Sequence, residues 1–166
     1  AGYDIALTRA VADAVSIPVI AAGGIADGRG VAAAFMLGAK AVQVGTHFVV
    51  TEESQVHENY KERILKAKDI DTKVTGRTTG HPVRALRNQM TREYLKKEAA
   101  GASFEELELM TLGGLRKAVV EGDVTTGSVM AGQSAGMVKE KTTCAQLIQK
   151  LNNEAEYLLK GTKIHE

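Results

Sequence analysis

IPVIAAGGIADGRGVAAAFMLGAKAVQVGT, residues 17–46, contains two short apolar runs that each lead into glycine. The runs cover residues 17–22 and 41–44, and the first shows no alternation of apolar with polar side chains. A run without alternation is typical of a strand covered on both faces, as in a parallel sheet. The Ala-rich segment between them, residues 31–37, predicts a helix. The stretch therefore predicts a strand–helix–strand unit with parallel strands and a right-handed crossover.

Glycines follow both predicted strands, in Ala22-Gly23-Gly24 and in Gln43-Val44-Gly45-Thr46. Glycine lets the backbone approach a ligand closely, and the free N–H groups at the start of a following helix attract anions. Two neighbouring strand ends are therefore expected to direct amide donors at one dianion. In a (β/α)₈ barrel the loops after strands 7 and 8 form a phosphate site of this kind. The alternative is that the glycines only form tight turns.

The remainder of the chain is dominated by helical patterns. Residues 1–16 place apolar side chains at helical spacing, with Asp4 as the expected N-cap. Ser103 and Glu106 form a capping-box pattern for a helix over residues 103–110, and Thr142 or Thr143 is expected to cap a final helix. Further helices are predicted at residues 54–68, 83–100 and 112–121, whereas the polar residues 70–79 are predicted to be irregular.

The composition indicates a globular protein with few aromatic residues. Of the 166 residues 44% are hydrophobic, and Cys144 is the single cysteine. With 21 basic and 20 acidic side chains the formal net charge is +1, which argues against a nucleic-acid partner bound through bulk charge. No apolar run approaches the ~20 residues of a membrane helix. We therefore expect a cytoplasmic protein with no membrane partner, no secretory leader and no metal site.

The predicted strands are too few for an independent sheet, since two parallel strands alone are not stable. Two explanations remain open. Either the chain is part of a larger α/β protein, or it pairs with another chain as a homo-oligomer or with a separate N-terminal half. The first explanation is favoured.

Three segments of the chain together resemble one family of flavin enzymes. They are residues 17–54, the motif GHPVRALRNQ at residues 80–89, and KAVVEGDVTTGSVMAGQSAG at residues 117–136. The chain resembles the C-terminal part of FabK-type enoyl-acyl-carrier-protein reductases and of nitronate monooxygenases, formerly called 2-nitropropane dioxygenases. The motif at residues 80–89 and GDVTTGSVMAGQ at residues 122–133 are more similar to FabK than to the nitronate branch.

The resemblance implies the C-terminal portion of a (β/α)₈ TIM barrel that binds FMN and carries a helical insertion. Residues 17–22 and 41–44 would be strands 7 and 8. Barrel units with the FMN-phosphate loops would occupy residues 1–50, the insertion residues 51–122, and a closing segment with the last helix residues 123–166. The implied cofactor-binding residues are Ala22, Gly23, Gly24, Gln43, Gly45, Thr46, Met130, Gly132 and Gln133.

The activity that the resemblance implies is reduction of trans-2-enoyl-acyl-carrier protein, with NADH or NADPH as hydride donor. The alternatives are a nitronate monooxygenase, and a non-catalytic fragment that folds only with its missing half. The family's catalytic histidine lies in a Gly-Gly-His motif that would end just before Ala1, and none of His47, His57, His81 and His165 occupies it. The isolated chain is therefore expected to be inactive.

Residues 52–97 carry a local basic surplus, with 11 Lys or Arg against 7 Asp or Glu. Beside a reductase-like sequence, such a surplus is consistent with a docking surface for an acidic acyl-carrier protein. Lys61, Arg84, Arg87 and Arg92 are the candidate docking residues. The alternative is that these side chains only solvate helix faces or pair with acidic neighbours at helical spacing.

Overall fold

A computed structural model describes residues 5–161, which form a mixed α/β structure. Asp4 and His165 lie outside the described residues. The helices are α1 (Ile5–Ala14), α2 (Gly28–Met36), α3 (Thr46–Val49), α4 (Glu58–Leu65), α5 (Gln89–Ala99), α6 (Phe104–Thr111), α7 (Gly114–Val119) and α8 (Cys144–Gly161), with a 3₁₀ helix at Gln133–Met137. The strands are β1 (Ile20–Ala22), β2 (Ala41–Gln43), β3 (Thr72–Thr75) and β4 (Val83–Leu86).

The predicted strand–helix–strand unit is confirmed. Strand β1 pairs in parallel with β2, so that Ala22 lies opposite Gln43, and α2 connects them. One face of this unit is covered by α8, where Leu147 and Leu151 are buried with Ala21. The side chain of Ile20, in contrast, is 62% exposed. The small parallel sheet is therefore covered on one side by this chain, and Ile20 remains open to solvent.

The helix predicted at residues 83–100 is wrong in its first part, where the structure has a β-hairpin. Strand β4 pairs antiparallel with β3, which lies in the segment predicted to be irregular. Asn88 then caps α5 by accepting a hydrogen bond from the amide of Thr91, whose hydroxyl accepts from the Asn88 amide. Residues 83–86 form a strand because they pair with a neighbouring segment on each side. The second partner is the segment around Met130, which forms an antiparallel bridge with Ala85.

Helices α1, α4, α6, α7 and α8 were each predicted and differ from the predictions at their ends, whereas α3 and the 3₁₀ helix were not predicted. The capping box of Ser103 and Glu106 is confirmed at the start of α6. Thr143, rather than Thr142, caps α8 through its hydroxyl, which accepts a hydrogen bond from the Gln146 amide. Helix α4 begins at Glu58 instead of residue 54, and α7 covers fewer residues than 112–121. A left-handed φ of 72° at Gly113 interrupts the chain before α7 begins.

A second apolar core is formed by residues of the long segment between α3 and α8. Ile64, Leu86, Val129 and Val138 are completely buried there. A smaller cluster joins Met90 and Tyr94 of α5 to Leu107 of α6. No helix among residues 5–161 has the length and apolar character needed to cross a membrane.

Candidate functional site

The two glycine loops meet in one cavity of about 310 Å³, here called the glycine cavity. Because β1 and β2 are parallel neighbours, the loops that follow them lie side by side. Seven of the implied cofactor-binding residues line it, together with Ile25 and Ser134; they are Ala22, Gly23, Gly24, Gln43, Gly45, Thr46 and Gly132. The expectation that Gly24 and Gly45 face one cavity at adjacent strand ends is thus confirmed. The direction of their N–H groups stays a prediction.

The backbone of the glycine cavity suits a ligand that approaches closely. Gly23 and Gly24 have φ values of 98° and 73°, in the left-handed region that favours glycine. A Cβ placed on Gly45 would meet no atom within 4 Å, so the space beside this residue is open. These residues therefore leave room at the strand ends that side chains would fill, which fits a phosphate group.

The start of α2 does not contribute free amides in the expected way. The Asp27 carboxylate accepts a hydrogen bond of 2.9 Å from the Gly30 amide, and the Glu154 carboxylate accepts one of 3.0 Å from the Gly28 amide. Two carboxylates thus already occupy the positive end of this helix. For the Gly28 and Gly30 amides, the expectation of free N–H groups that face the ligand is therefore wrong.

The segment around Gly132 also lines the glycine cavity, and a hydrogen bond joins this segment to Thr46, which follows β2. The Gly132 amide donates to Thr46 Oγ1 over 2.8 Å. Gln133, which the family resemblance also implicated, is exposed at the start of the 3₁₀ helix and does not line the cavity. Ser134 does line it and is buried, but its only signal in the sequence is its place in a stretch of small residues.

Met130 faces a different cavity of about 380 Å³, here called the apolar cavity. Its floor is the hairpin of β3 and β4 with the neighbouring residues 128–130, and its roof is formed by α5, α6 and α7. The apolar side chains that line it are Val83, Met90, Tyr94, Phe104, Leu115 and Met130. His81 also lines it, and its ring centroid lies 5.9 Å from that of Phe104.

Tyr60 fixes the backbone between the two cavities. Its hydroxyl donates a hydrogen bond of 2.6 Å to the Met130 carbonyl. Burial raises the pKa of the Tyr60 hydroxyl to about 12, so it keeps its proton at neutral pH. Tyr60 and Thr46 thus hold the segment 130–132 from two different elements.

The other histidines of the described chain have structural contacts. His47 is buried, and its Nδ1 lies 3.0 Å from the Ala26 carbonyl. His57 Nδ1 accepts a hydrogen bond of 3.1 Å from the Asn59 amide and so caps α4. Both histidines therefore have structural contacts within the chain.

Three of the four proposed docking residues are engaged within the chain. Lys61 is only 2% exposed and donates to the Thr51 carbonyl over 3.0 Å, so its proposed docking role is wrong. Arg84 Nη1 donates to Thr72 Oγ1, and Arg87 pairs with Asp71. Arg92 is exposed, and the Arg87 side chain is 40% exposed beside Asp71.

Comparison with known proteins shows the family. The model of the nitronate monooxygenase family matches residues 3–154. A probable nitronate monooxygenase from Bacillus subtilis is 36% identical over 149 residues, which are 90% of this chain and 43% of that protein. One from Staphylococcus aureus is 34% identical over 157 residues, covering 92% of this chain and 44% of that protein. The chain belongs to the nitronate monooxygenase family.

The chain is similar to solved structures of two kinds of enzyme. It is 50% identical to FabK from Thermotoga maritima, with a TM-score of 0.87 over 94% of this chain and 50% of that one. It is 31% identical to a nitroalkane oxidase from Streptomyces ansochromogenes, with a TM-score of 0.78 over 94% of this chain and 44% of that one. The chain spans about half the length of the relatives it matches.

Proposed function

We propose that this chain is part of an FMN-dependent oxidoreductase and that the glycine cavity holds the FMN phosphate. In this proposal β1 and β2 are strands 7 and 8 of a (β/α)₈ barrel. The observation that carries the proposal is the meeting of Gly23, Gly24 and Gly45 around one open cavity at the ends of two parallel strands. Loops at this position of a barrel are a recurrent phosphate site.

The residues of the cavity fit the cofactor. Gly24 and Gly45 would lie against the phosphate without side-chain obstruction, and Thr46 would keep Gly132 in the opposite wall. Bound there, FMN would supply hydride transfer between NADH or NADPH and an electron-poor substrate. The chain's own contribution is to bind and orient the cofactor and to shape the space beside it.

We propose enoyl-acyl-carrier-protein reduction as the activity. Its support is the higher identity to FabK, 50% against 31% for the nitroalkane oxidase, together with the FabK-like motifs at residues 80–89 and 122–133. The second candidate is nitronate oxidation with oxygen as acceptor. It is favoured by the matching family model and by the names of the curated relatives.

The partners in this proposal are an acidic carrier protein and the part of the barrel that the relatives have and this chain does not span. Exposed apolar side chains on α1 and β1, including Leu7 at 61% and Ile20 at 62%, support association with further structure. A fragment that folds only with its missing half is the non-catalytic alternative. Below, a polypeptide that joins this chain to that further part is called the full-length enzyme.

The test uses the full-length enzyme and two assays. We expect the purified protein to carry an oxidised flavin absorbance band, which is released as FMN on denaturation. NADH or NADPH consumption that depends on crotonyl thioester supports the reductase. Oxygen consumption with a nitronate, and none of the thioester-dependent reaction, contradicts it in favour of the second candidate. A colourless protein that binds no added FMN contradicts both.

A further inference from the structure

The apolar cavity lies directly beside the glycine cavity, and one backbone segment lines both. Met130 faces the apolar cavity and Gly132 the glycine cavity. Two residues of extended chain span at most about 7 Å, so this shared segment brings the edges of the two cavities within about that distance of each other. The two cavities therefore read as neighbouring parts of one binding region.

Side chains of residues 128–131 point alternately to the core and to the apolar cavity, so this segment forms one wall of that cavity. The segment is extended along β4, since the Leu86 amide donates to the Val129 carbonyl over 2.8 Å. Val129 and Ala131 are buried in the core, whereas Ser128 and Met130 line the apolar cavity. This alternation is that of a strand with one face on the core and the other on a ligand space.

The chemistry of the walls selects against a small anion. Apolar side chains and hydroxyl groups dominate the lining, and Glu108 is the carboxylate among the described lining residues. Phe104, Leu115 and Met130 remain 44%, 42% and 39% exposed around this cavity. Large apolar side chains that converge on a partly open cavity gain stability when an apolar ligand covers them.

Resting on the proposed function, we propose that the apolar cavity binds the alkyl chain of the acyl thioester substrate, and that Leu115 limits the chain length accepted. A volume of about 380 Å³ lies within the usual range for small-molecule sites. Leu115 is placed for this role because it lies in the first turn of α7 and lines the cavity. The Ser128 amide donates to the Gly114 carbonyl over 2.8 Å, which holds this end of α7 against the floor.

The test compares chain lengths in the full-length enzyme. We expect kcat/KM to rise from the four-carbon to longer enoyl thioesters, by up to about fourfold for each methylene that is buried. Leu115→Trp fills the cavity and is expected to abolish this rise. Leu115→Ala enlarges it and is expected to extend the rise to longer chains. Leu112→Trp is the matched control, since Leu112 is 75% exposed and does not line the cavity.

A binding measurement separates this inference from the proposed function. Calorimetric titration with dodecanoyl pantetheine, a saturated thioester that is not reduced, is expected to show weaker binding to Leu115→Trp than to the wild type and to Leu112→Trp. This result in an enzyme without reductase activity supports the cavity assignment and overturns the reductase. Active enzyme whose chain-length profile and thioester binding are the same in all variants overturns the cavity assignment alone. Bound flavin verifies that each variant is folded.

Discussion

Thr46 and Gly132 are joined by a hydrogen bond of 2.8 Å across 86 residues of sequence. The bond links the loop after β2 to the segment that separates the glycine cavity from the apolar cavity. The Thr46 hydroxyl is the acceptor, so the contact depends on this one oxygen atom. The position of Gly132 in the proposed FMN site therefore depends on the same part of the chain that contains Gly45.

Thr46→Val removes this acceptor and keeps the β-branched shape. We expect FMN affinity of the full-length enzyme to fall by roughly three- to tenfold, the value of one ordinary hydrogen bond. Thr46→Ser retains the hydroxyl and is expected to bind FMN as the wild type does. Fluorescence titration of FMN with the apoprotein measures both. Equal affinity of the two variants would contradict the positioning role of Thr46.

Gly45→Ala tests the location of the phosphate. Gly45 has a φ of −103°, and an added Cβ meets no atom within 4 Å, so stability should change by less than about 0.5 kcal/mol. The methyl group would nevertheless occupy the space assigned to the phosphate, and we expect FMN affinity to fall at least about tenfold.

Gly24→Ala is the matched comparison for that variant. Its φ of 73° adds backbone strain of about 1–2 kcal/mol, so this variant should lose both stability and flavin. Thermal unfolding of the apoproteins and FMN titration separate the two effects. Full flavin occupancy in Gly45→Ala would show that the phosphate does not bind in the glycine cavity.

The Glu53 carboxylate predicts a pH-dependent contribution to stability. Both of its oxygens accept hydrogen bonds from the Cys144 amide at the start of α8, and these bonds hold the pKa of Glu53 below its ordinary value of 4.5. A lowered pKa in the folded state means stability that is fully present above pH 4.5 and is lost as the pH falls through the folded value.

Glu53→Gln should remove that contribution. We expect it to unfold at lower urea concentration than the wild type at pH 7, with the difference shrinking as the pH is lowered below 4.5. Urea titrations of the full-length enzyme across this range measure it. A difference between the two proteins that is constant with pH would be inconsistent with a charged cap.

Lys61→Met tests the structural role of a buried lysine. The side chain donates to the Thr51 carbonyl and lies 3.3 Å from the Glu58 carboxylate. Its loss leaves the carbonyl without this donor, and we expect a destabilisation of about 1–3 kcal/mol. Lys66→Met is the control, because this exposed lysine forms an i,i+4 pair with Glu62 that is worth at most about 1 kcal/mol. Equal denaturant midpoints for the two variants would be the contrary result.

Arg92→Glu tests the proposed docking surface for the carrier protein, which no longer includes the buried Lys61. A charge at the rim of an interface acts mainly on the association rate and its salt dependence. We expect a severalfold higher KM for carrier-bound substrate at low salt and an unchanged KM for the substrate bound to coenzyme A. The same increase with both substrates would place the effect of Arg92 outside carrier docking.

Local patterns in the sequence predicted the βαβ unit and several helix ends correctly. Ser103 and Glu106 lie three residues apart and satisfy each other, so the start of α6 is encoded within one helical turn. The glycines after β1 and β2 likewise follow directly from the order of the residues, and parallel pairing then brings them to one edge. For these features the interacting groups are near in sequence or related by one crossover.

The β-hairpin and the apolar cavity were not predictable in the same way. The segment around β3 is polar, and residues 83–100 carry enough helical periodicity to hide a strand at their start. What makes Val83–Leu86 a strand is pairing with Thr72–Thr75 on one side and with the segment at Met130 on the other. Strand propensity is decided by such neighbours more than by the residues themselves.

The sequence by itself thus determined the parallel unit, the glycine loops and the family to which the chain belongs. Only the tertiary structure decided that Lys61 is buried, that Glu154 accepts a hydrogen bond from the Gly28 amide at the start of α2, and that Met130 lines the apolar cavity and not the glycine cavity. The physical reason is the range of the interactions. A cap or a glycine turn is satisfied within a few residues, whereas the burial of a charge and the partner of an extended segment depend on distant parts of the chain.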